Sequence, residues 1–303
     1  MPTGASTMRI LVTGACGRLG SAVADVAGRQ DIEVIGIDRA DWSHESEMPA
    51  MARFERGDCT DVKLLDRLLP GCDAVIHTAG PHGADLRDLG LTEFLDGNVT
   101  ANARLLEAAT RADVGRVMFS STIEVLVGRD WKPSGAAVLD ESFPPVTDTQ
   151  YALSRYLLEK LAEQYAHQHG ICTASFRFMA FGYSTWQSIG AELLARSLSR
   201  RDAARAMLLG AQRDDLAGDV FHVGPETPLT NYDVIDALTD PHAVLERQFP
   251  GASEILAKHG SPLRSDHFWP VTSIRKARLI LGYQPRDTFA RWLREKGWPG
   301  RDG

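Results

Sequence analysis

Apolar and polar positions at the start of the chain follow a strand, turn and helix pattern. Residues 8–12 form an apolar, β-prone run with the length of one buried strand. Three glycines, Gly14, Gly17 and Gly20, follow in the spacing G-x-x-G-x-x-G. The alanines and spaced valines of residues 21–27 then predict a helix packed on a sheet. Such a turn lets backbone approach a pyrophosphate at a helix N-terminus, so the pattern favours a dinucleotide site over a turn that binds nothing.

Apolar runs and amphipathic stretches continue to alternate as far as residue 224. The further predicted strands cover residues 31–38, 53–58, 73–80, 116–128, 171–178 and 219–224. The predicted helices between them cover residues 62–69, 91–112, 149–170 and 198–211. This alternation predicts an α/β fold with a Rossmann-type doubly wound parallel sheet. The helical remainder, which carries proline and tryptophan, predicts a smaller lobe over the strand ends.

Composition narrows the class of protein. The 303 residues are 44% hydrophobic and 24% charged, enough for one large domain with a smaller lobe and unlike a disordered chain. The net charge of -7 disfavours a nucleic-acid surface, and no apolar run approaches the roughly 20 residues of a membrane span. The 4 cysteines form no Cys-x-x-Cys pair, which favours reduced thiols in a cytoplasmic protein. His167 and His169 cannot share a helix face, so we predict no metal site.

Asp38 ends the second predicted strand, about 20 residues past the glycines, where a dinucleotide site uses an acid. A carboxylate at this point accepts hydrogen bonds from ribose hydroxyls and repels a 2′-phosphate, which favours NAD over NADP. Arg39, the next residue, would weaken that preference. The alternative is an ordinary turn aspartate.

Polar side chains also follow the later strands. Ser120, Ser121 and Thr122 come at the end of one strand, and His82 lies in the loop after another. Ligands of parallel sheets lie outside the carboxyl ends of the strands, so these hydroxyls are candidates for holding a substrate oxygen. His82 is either a substrate contact or simply solvated.

The ordered motifs of the chain are similar to those of one family. They are TGACGRLG (13–20), Asp38, GDCTD (57–61), HTAG (77–80), NVTANARLLEAA (98–109), MFSSTIEV (118–125), YALSR (151–155), RRDAARAMLLGA (200–211) and RKARLILGYQP (275–285). Over residues 8–285 the sequence resembles the extended short-chain dehydrogenases/reductases, also called the NAD-dependent epimerase/dehydratase family. The resemblance implies an enzyme with NAD as cofactor and a small-molecule substrate.

The resemblance also assigns roles to residues. Tyr151 falls on the general acid/base, Thr122 on the catalytic hydroxyl and Arg155 on the catalytic cation. The implied cofactor residues are Gly14, Gly17, Arg18, Leu19, Gly20, Asp38, Asp58, Cys59, His77, Ala79, Gly80, Asn98, Ser120, Tyr151 and Arg155. The candidate substrate contacts are His82, Ser121, Thr122, Ile123 and Arg177.

Arg155 departs from the family pattern, which is Tyr-x-x-x-Lys. Tyr151 and Arg155 stand four apart and share a helix face. A tyrosine with a pKa of about 10 needs a nearby cation to act as a base near neutral pH. Arginine keeps the charge but cannot relay a proton. The chain is therefore either a working dehydrogenase or a slow or non-catalytic dinucleotide-binding protein.

The predicted lobe is short. Members that act on nucleotide sugars usually carry an Asn after the Arg of the sixth strand and a long insertion, whereas Ala180 lies near that Asn position here. The trimmed lobe and the segment Ser184–Trp186 resemble uronate dehydrogenases, which act on a small free sugar acid. Arg177 would then pair with a substrate carboxylate, or else form a structural ion pair.

These observations predict an NAD-dependent oxidoreductase for a sugar, uronate or polyol-like substrate, with a nucleotide-sugar epimerase or dehydratase as the alternative. We expect an NAD-binding domain over residues 8–176, joined by strand 219–224, and a substrate lobe over 177–295, with flexible ends at 1–7 and 296–303. A homodimer is expected from the resemblance alone, and no nucleic-acid or membrane partner is predicted.

Overall fold

The computed structural model describes residues 7–41, 53–128, 138–181 and 185–300. Seven strands form a parallel sheet with the order β10-β7-β5-β4-β1-β2-β3. In chain order, the described strands are β1 (Arg9–Thr13), β2 (Glu33–Asp38), β3 (Arg53–Arg56), β4 (Ala74–His77), β5 (Arg116–Thr122), β6 (Val138–Leu139), β7 (Cys172–Phe178), β8 (Ala180–Phe181), β9 (Ser197–Leu198), β10 (Ala217–Val223) and β11 (Val271–Thr272).

Helices follow most of these strands. The described α-helices are α1 (Arg18–Gly28), α2 (Val62–Leu68), α3 (Leu91–Leu95), α4 (Ala101–Arg111), α5 (Glu124–Val127), α6 (Gln150–His169), α7 (Arg200–Ala211), α8 (Asn231–Asp236), α9 (Pro241–Gln248), α10 (Ala252–Lys258), α11 (Arg275–Leu281) and α12 (Phe289–Glu295). Single 3₁₀ turns lie at Gly83–Arg87, Gly190–Leu194 and Ser265–Phe268, and a π-helical turn joins α3 to α4 at Asp96–Thr100.

The chain order makes the sheet doubly wound. From β1 the chain builds β2 and β3 on one side, and then crosses to β4 and builds β5, β7 and β10 on the other. The order reverses between β1 and β4, and a crevice for ligands opens at such a point beyond the carboxyl ends of the strands. The α/β fold with a Rossmann-type sheet is confirmed.

Helices cover both faces of the sheet because successive strand side chains point to opposite sides. Ile76 of β4 belongs to the core cluster with Val23 of α1 and Met207 of α7. Its neighbour Val75 belongs to the opposite cluster with Leu158 of α6. Both faces of the strand are therefore buried, which explains why the sequence shows continuous apolar runs rather than alternation.

Helix α6 shows how local sequence sets an element that carries site residues. Its N-cap Thr149 accepts a hydrogen bond at Oγ1 from the Ala152 N–H at 3.0 Å. The helix ends at Gly170, which takes a left-handed conformation with φ 67°. The two ends agree with the helix that the sequence predicts from residue 149 to residue 170.

The strand predicted over residues 116–128 is shorter in the structure. β5 ends at Thr122, whose Oγ1 accepts a hydrogen bond from the Glu124 N–H at 3.2 Å and so opens the short helix α5. Gly128, with φ 62°, closes that helix. The apolar run of residues 125–127 is helical because this turn reverses the chain at the edge of the crevice.

A separate apolar cluster forms the smaller lobe. Its centre is made of Trp292 and Phe289 of α12, Leu193 and Phe268, all of them buried. Trp298 belongs to the same cluster and donates from Nε1 to the Pro250 carbonyl oxygen at 2.7 Å. Trp298, which lies in the end expected to be flexible, is therefore packed in the lobe.

Helix α7 lies on the sheet, although residues 200–211 fall within the predicted lobe. A Cβ at Gly210 would meet the Phe176 ring at 2.6 Å and the Met118 sulfur at 3.0 Å, so the helix touches β7 and β5 directly. By packing, α7 belongs to the larger domain together with β10, which returns to the sheet at Ala217–Val223.

None of the helices in the described ranges combines the length and the hydropathy that crossing a membrane requires.

Candidate active site

The crevice at the carboxyl ends of the strands holds a cavity of about 950 Å³. The glycine turn, the ends of β4 and β5, and helix α6 line it from the larger domain, and residues of the lobe close it from the other side. The predicted site residues that line this cavity are Gly17, Arg18, Leu19, Gly80, His82, Ser120, Ser121, Thr122, Ile123, Tyr151 and Arg155.

The glycine turn depends on the absence of side chains. Gly14 has φ +70°, and a Cβ there would lie 2.8 Å from the Ala79 backbone nitrogen. A Cβ at Gly20 would lie 2.1 Å from the Gly14 carbonyl oxygen. Helix α1 then starts at Arg18 and has no acidic residue in its first turn. The N–H groups and the positive end of this helix face the cavity, which suits a phosphate.

Asp38 lies at the end of β2 beside the glycine turn. Its Oδ2 accepts the Cys16 N–H at 2.9 Å and its Oδ1 accepts the Ala40 N–H at 3.0 Å, so both oxygens are oriented by backbone. Asp58 accepts the Thr60 N–H at 2.8 Å, and burial raises the pKa of the Cys59 thiol to about 11. None of Asp38, Asp58 and Cys59 lines the cavity itself.

His77 lies below the cavity rather than at its wall. The ring is buried, Nδ1 is 2.7 Å from Thr13 Oγ1, and the Phe119 ring meets it edge-on. Burial, with a smaller contribution from the Arg155 charge, lowers the pKa of His77 to about 3. The side chain is therefore a neutral core group. The cofactor contact that the family resemblance implies for His77 is not available to its buried ring.

Asn98 supports the loop that follows β4. From the π-helical turn, its Nδ2 donates to the Pro81 carbonyl oxygen at 3.0 Å and to Ser154 Oγ at 2.9 Å. A Cβ at Gly80, which has φ +117°, would lie 2.5 Å from Asn98 Oδ1. Asn98 thus fixes Gly80 and Pro81 at the cavity without lining it. Ala79 does not line the cavity either, because its backbone packs against Gly14.

Tyr151 and Arg155 project from α6 into the floor of the cavity. Arg155 donates from Nη1 to the Ser120 carbonyl oxygen at 2.9 Å and from Nη2 to the Pro81 carbonyl oxygen at 3.2 Å. Burial raises the pKa of the Tyr151 phenol, while Arg155 and a hydrogen bond with Thr122 act in the opposite direction and Glu124 adds to the rise. The pKa stays above its usual value, so the phenol is protonated at neutral pH.

Arg177 does not reach the cavity. It donates from Nε to Glu159 Oε1 at 2.8 Å and from Nη2 to Glu159 Oε2 at 2.7 Å, and both side chains are buried. Ser121 donates from Oγ to the same Oε1 at 2.7 Å. Arg177 therefore forms the structural ion pair that was one of its two predicted roles. It is not exposed for a substrate carboxylate, which was the other.

His82 lines the cavity from its edge. Its side chain is 59% exposed, and Asp85 accepts the His82 backbone N–H at Oδ2 at 2.7 Å. It also caps the 3₁₀ turn at Gly83–Arg87 by accepting the Ala84 N–H at 3.3 Å. These contacts occupy the ring in a local turn, so a contact with a substrate stays a prediction.

Several residues that line the cavity were not predicted from sequence. Glu124 stands two positions after Thr122, a signal that the motif already contained. Arg196, Asp266 and Trp269 come from the lobe, and nothing in their sequence context indicates a shared wall. Arg196 pairs there with Asp266.

Glu192 backs this part of the wall. Its carboxylate pairs with Arg264 at 3.1 Å and with His267 at 3.3 Å. His267 and, to a lesser extent, Arg196 and Arg264 lower the pKa of Glu192 to about 2. This carboxylate is therefore ionised at all ordinary pH values, and its partners Arg264 and His267 lie on either side of Asp266.

The segment that suggested uronate dehydrogenases is anchored in the lobe. Ser184 lies outside the described residues. The Trp186 carbonyl oxygen accepts a hydrogen bond from Trp292 Nε1 at 2.9 Å, and the Arg291 guanidinium lies 5.2 Å from the Trp186 ring centroid. In the described ranges, no group of three or more His, Cys, Asp or Glu side chains is arranged to hold a metal ion.

Comparisons with known proteins place the chain in a family. The model of the NAD dependent epimerase/dehydratase family matches residues 10–216. A dTDP-glucose 4,6-dehydratase of Streptomyces niveus is 27% identical over 323 aligned positions, which cover 95% of this chain and 91% of that protein.

Solved structures show the same fold. The structure of a mutated uronate dehydrogenase superposes with a TM-score of 0.67 at 23% identity. The alignment covers 97% of this chain and 87% of the uronate dehydrogenase chain. The structure of MoeE5 in complex with UDP-glucuronic acid and NAD superposes with a TM-score of 0.67 at 22% identity. That alignment covers 95% of this chain and 99% of the MoeE5 chain.

Proposed function

The chain belongs to the NAD dependent epimerase/dehydratase family of enzymes, and on that premise we propose that it is an NAD-dependent oxidoreductase. Its substrate would be a small hydroxyl or carbonyl compound such as a sugar, a uronate or a polyol. The observation that carries this proposal is the meeting of the Tyr151 phenol, the Thr122 hydroxyl and the Arg155 guanidinium at the floor of one cavity.

The residues present fit NAD. The glycine turn brings bare backbone and the start of α1 to the cavity, where a pyrophosphate would bind. Asp38, already oriented by two backbone N–H groups, offers a carboxylate for the adenosine ribose and disfavours a 2′-phosphate. MoeE5, a neighbour in fold, is solved with NAD. When bound, the nicotinamide supplies the hydride acceptor or donor.

Proton transfer would be the work of Tyr151. In the oxidation direction the Tyr151 phenolate would take the proton of the substrate hydroxyl as the C–H bond breaks, and in reduction the neutral phenol would return it. Because burial keeps the pKa of the phenol high, the positive charge of Arg155 is what makes the phenolate accessible. Thr122 would hold the same substrate oxygen by a hydrogen bond.

Substrate specificity would come from the upper wall of the cavity. Ile123 gives an apolar contact, and Arg196 brings a cation next to Asp266. An acidic sugar would bind this wall through its carboxylate, which would compete with Asp266 for the Arg196 guanidinium. The fold shared with a uronate dehydrogenase supports this class of substrate.

Absorbance of NADH with a panel of sugars, uronates and polyols tests the proposal. We expect NADH formation with at least one of them, and a loss of about 10²- to 10⁴-fold in kcat for Tyr151→Phe with NAD binding retained. Tyr156→Phe, on the same helix, is the matched control. Tight NAD binding without turnover of any compound in the panel would argue against the proposal.

A second candidate is an epimerase or dehydratase of a nucleotide sugar. Glu124 favours it, because a carboxylate close enough to Tyr151 to raise the pKa of the phenol could act as a second base. The similarity to a dTDP-glucose 4,6-dehydratase also supports it. This activity would give product from a nucleotide sugar without added NAD, using cofactor that co-purifies with the protein.

Assembly and location are part of the same proposal. A homodimer through the predicted helices 91–112 and 149–169 would bury the outer faces of α4 and α6 in a four-helix bundle. Light scattering after size exclusion tests it, and a monomeric mass at micromolar concentration would exclude it. All four cysteines lie in the described residues and none forms a disulfide, which fits the predicted cytoplasmic location.

A further inference from the structure

Helix α6 presents three side chains to the end of β5 rather than two. Tyr151, Arg155 and Glu159 stand four residues apart, so they lie on one face of the helix. All three are buried, with 9%, 3% and 2% of each residue exposed. Glu159 therefore continues the line of the two site residues one turn further along the helix.

The last three residues of β5 each meet one of these side chains. Arg155 Nη1 donates to the Ser120 carbonyl oxygen at 2.9 Å, and Ser121 Oγ donates to Glu159 Oε1 at 2.7 Å. The Thr122 side chain hydrogen-bonds that of Tyr151. The strand end is thus fixed to the helix at three consecutive positions.

Glu159 is itself fixed from the neighbouring strand. Arg177 of β7 contacts both carboxylate oxygens, at 2.8 Å and 2.7 Å, and lies in register with Ser121. The side chains of the pair are 6% and 1% exposed, so water cannot replace either partner. A charge paired in this way holds its position more strictly than a hydrogen bond at the surface.

We propose that Glu159 is a positioning residue that sets the distance between the Thr122 hydroxyl and the Tyr151 phenol, acting through Ser121. This inference rests on the proposed oxidoreductase function. It also changes the role expected for Ser121, because the hydroxyl proton of Ser121 is donated to Glu159 and the residue acts as a link between helix and strand.

The test uses Ser121→Ala, which removes the link and leaves the Glu159–Arg177 pair intact. We expect a folded protein that binds NAD within about twofold of the wild type and loses at least about tenfold in kcat, since small displacements of reacting groups reduce rates strongly. KM should change little, whereas a lost substrate contact would raise it. Ser121→Thr, which keeps a hydroxyl, should restore part of the kcat.

Two further variants separate positioning from folding. Glu159→Gln keeps an acceptor for Ser121 but removes the charge opposite the buried Arg177, so it should lower stability while losing less kcat than Ser121→Ala. Glu163→Gln removes an exposed ion pair with Lys160 on the same helix and should change neither. If Ser121→Ala keeps the wild-type kcat, or changes only the melting temperature, the positioning role is excluded.

A readout without turnover keeps this test independent of the proposed function. The ionisation of Tyr151 can be followed by ultraviolet absorbance, as the difference between each protein and its Tyr151→Phe counterpart. We expect a higher titration midpoint in Ser121→Ala, because a loosened β5 holds Arg155 less firmly beside the phenol. An unchanged midpoint would contradict the positioning role, even if no substrate had been found.

Discussion

The guanidinium of Arg155 lies beside the Tyr151 ring, with 5.5 Å between Cζ and the ring centroid. Its place is fixed by the carbonyl oxygens of Ser120 and Pro81, and Pro81 is held in turn by Asn98. The arginine thus occupies the position where the family usually has lysine and is bound by fixed backbone acceptors. A planar group with several donors suits two separate carbonyl oxygens, which a single ammonium satisfies less well.

Arg155 variants test whether charge alone is needed. We expect Arg155→Met to lose at least about 100-fold in kcat/KM for NADH formation, because the buried phenol loses the cation that favours its ionised form. Arg155→Lys keeps the charge and should stay within about tenfold of the wild type. The exposed Arg104→Met serves as the control, and equal activity of the Met and Lys variants would contradict the prediction.

Gly20→Ala should abolish NAD binding and destabilise the domain. Its Cβ would lie 2.1 Å from the Gly14 carbonyl oxygen and 2.8 Å from Ala15 Cα, so the glycine turn and α1 must separate. We expect a loss of about 1–3 kcal/mol in the free energy of unfolding, measured in urea. Gly115→Ala, where a Cβ meets nothing within 4 Å, should change it by less than about 1 kcal/mol.

Asp38→Ala should weaken the preference for NAD over NADP. The carboxylate is held by the Cys16 and Ala40 N–H groups at the end of β2, where a 2′-phosphate would be repelled. We expect the ratio of dissociation constants for NADP and NAD to fall by about tenfold, equal to ~1.4 kcal/mol. Fluorescence titration with both cofactors measures it, and an unchanged ratio would place the ribose elsewhere.

His222→Leu should reduce the sensitivity of the fold to acid. Burial, and to a lesser extent the charge of Arg177, lowers the pKa of His222 to about 3 from 6.5. Between these values the unfolded chain binds a proton that the folded protein does not, so stability is complete above pH 6.5 and falls towards pH 3. At pH 5 this single histidine accounts for a loss of about 2 kcal/mol.

Urea unfolding at pH 7.5 and pH 5 measures that loss. The difference between the two free energies of unfolding should be smaller by about 2 kcal/mol in His222→Leu than in the wild type. His167→Gln, at an exposed position on α6, should leave the difference unchanged. If His222→Leu shows the wild-type difference, the acid sensitivity belongs to other groups such as His77, whose pKa is lowered to about 3 in the same way.

Local pattern alone predicted the sheet and the glycine turn. The apolar runs of β1 and β4 mark buried strands, because a parallel sheet buries both faces of each strand. Gly14, Gly17 and Gly20 mark the turn, because only glycine allows the close approach seen there. The four-residue spacing of Tyr151 and Arg155 placed both on one face of α6, as the helix repeat requires.

Tertiary structure decided what the buried polar residues do. Arg177 and His77 carry chemistry that a site could use, yet the first is taken by Glu159 and the second by Thr13. The partners lie 18 and 64 residues away along the chain, so no local pattern reveals them. Arg196 and Asp266 reach the cavity for the same reason, since the lobe folds back over the strand ends. Sequence determines periodic structure through neighbours along the chain, whereas the partners of distant polar side chains are set only when strands, helices and the lobe pack together.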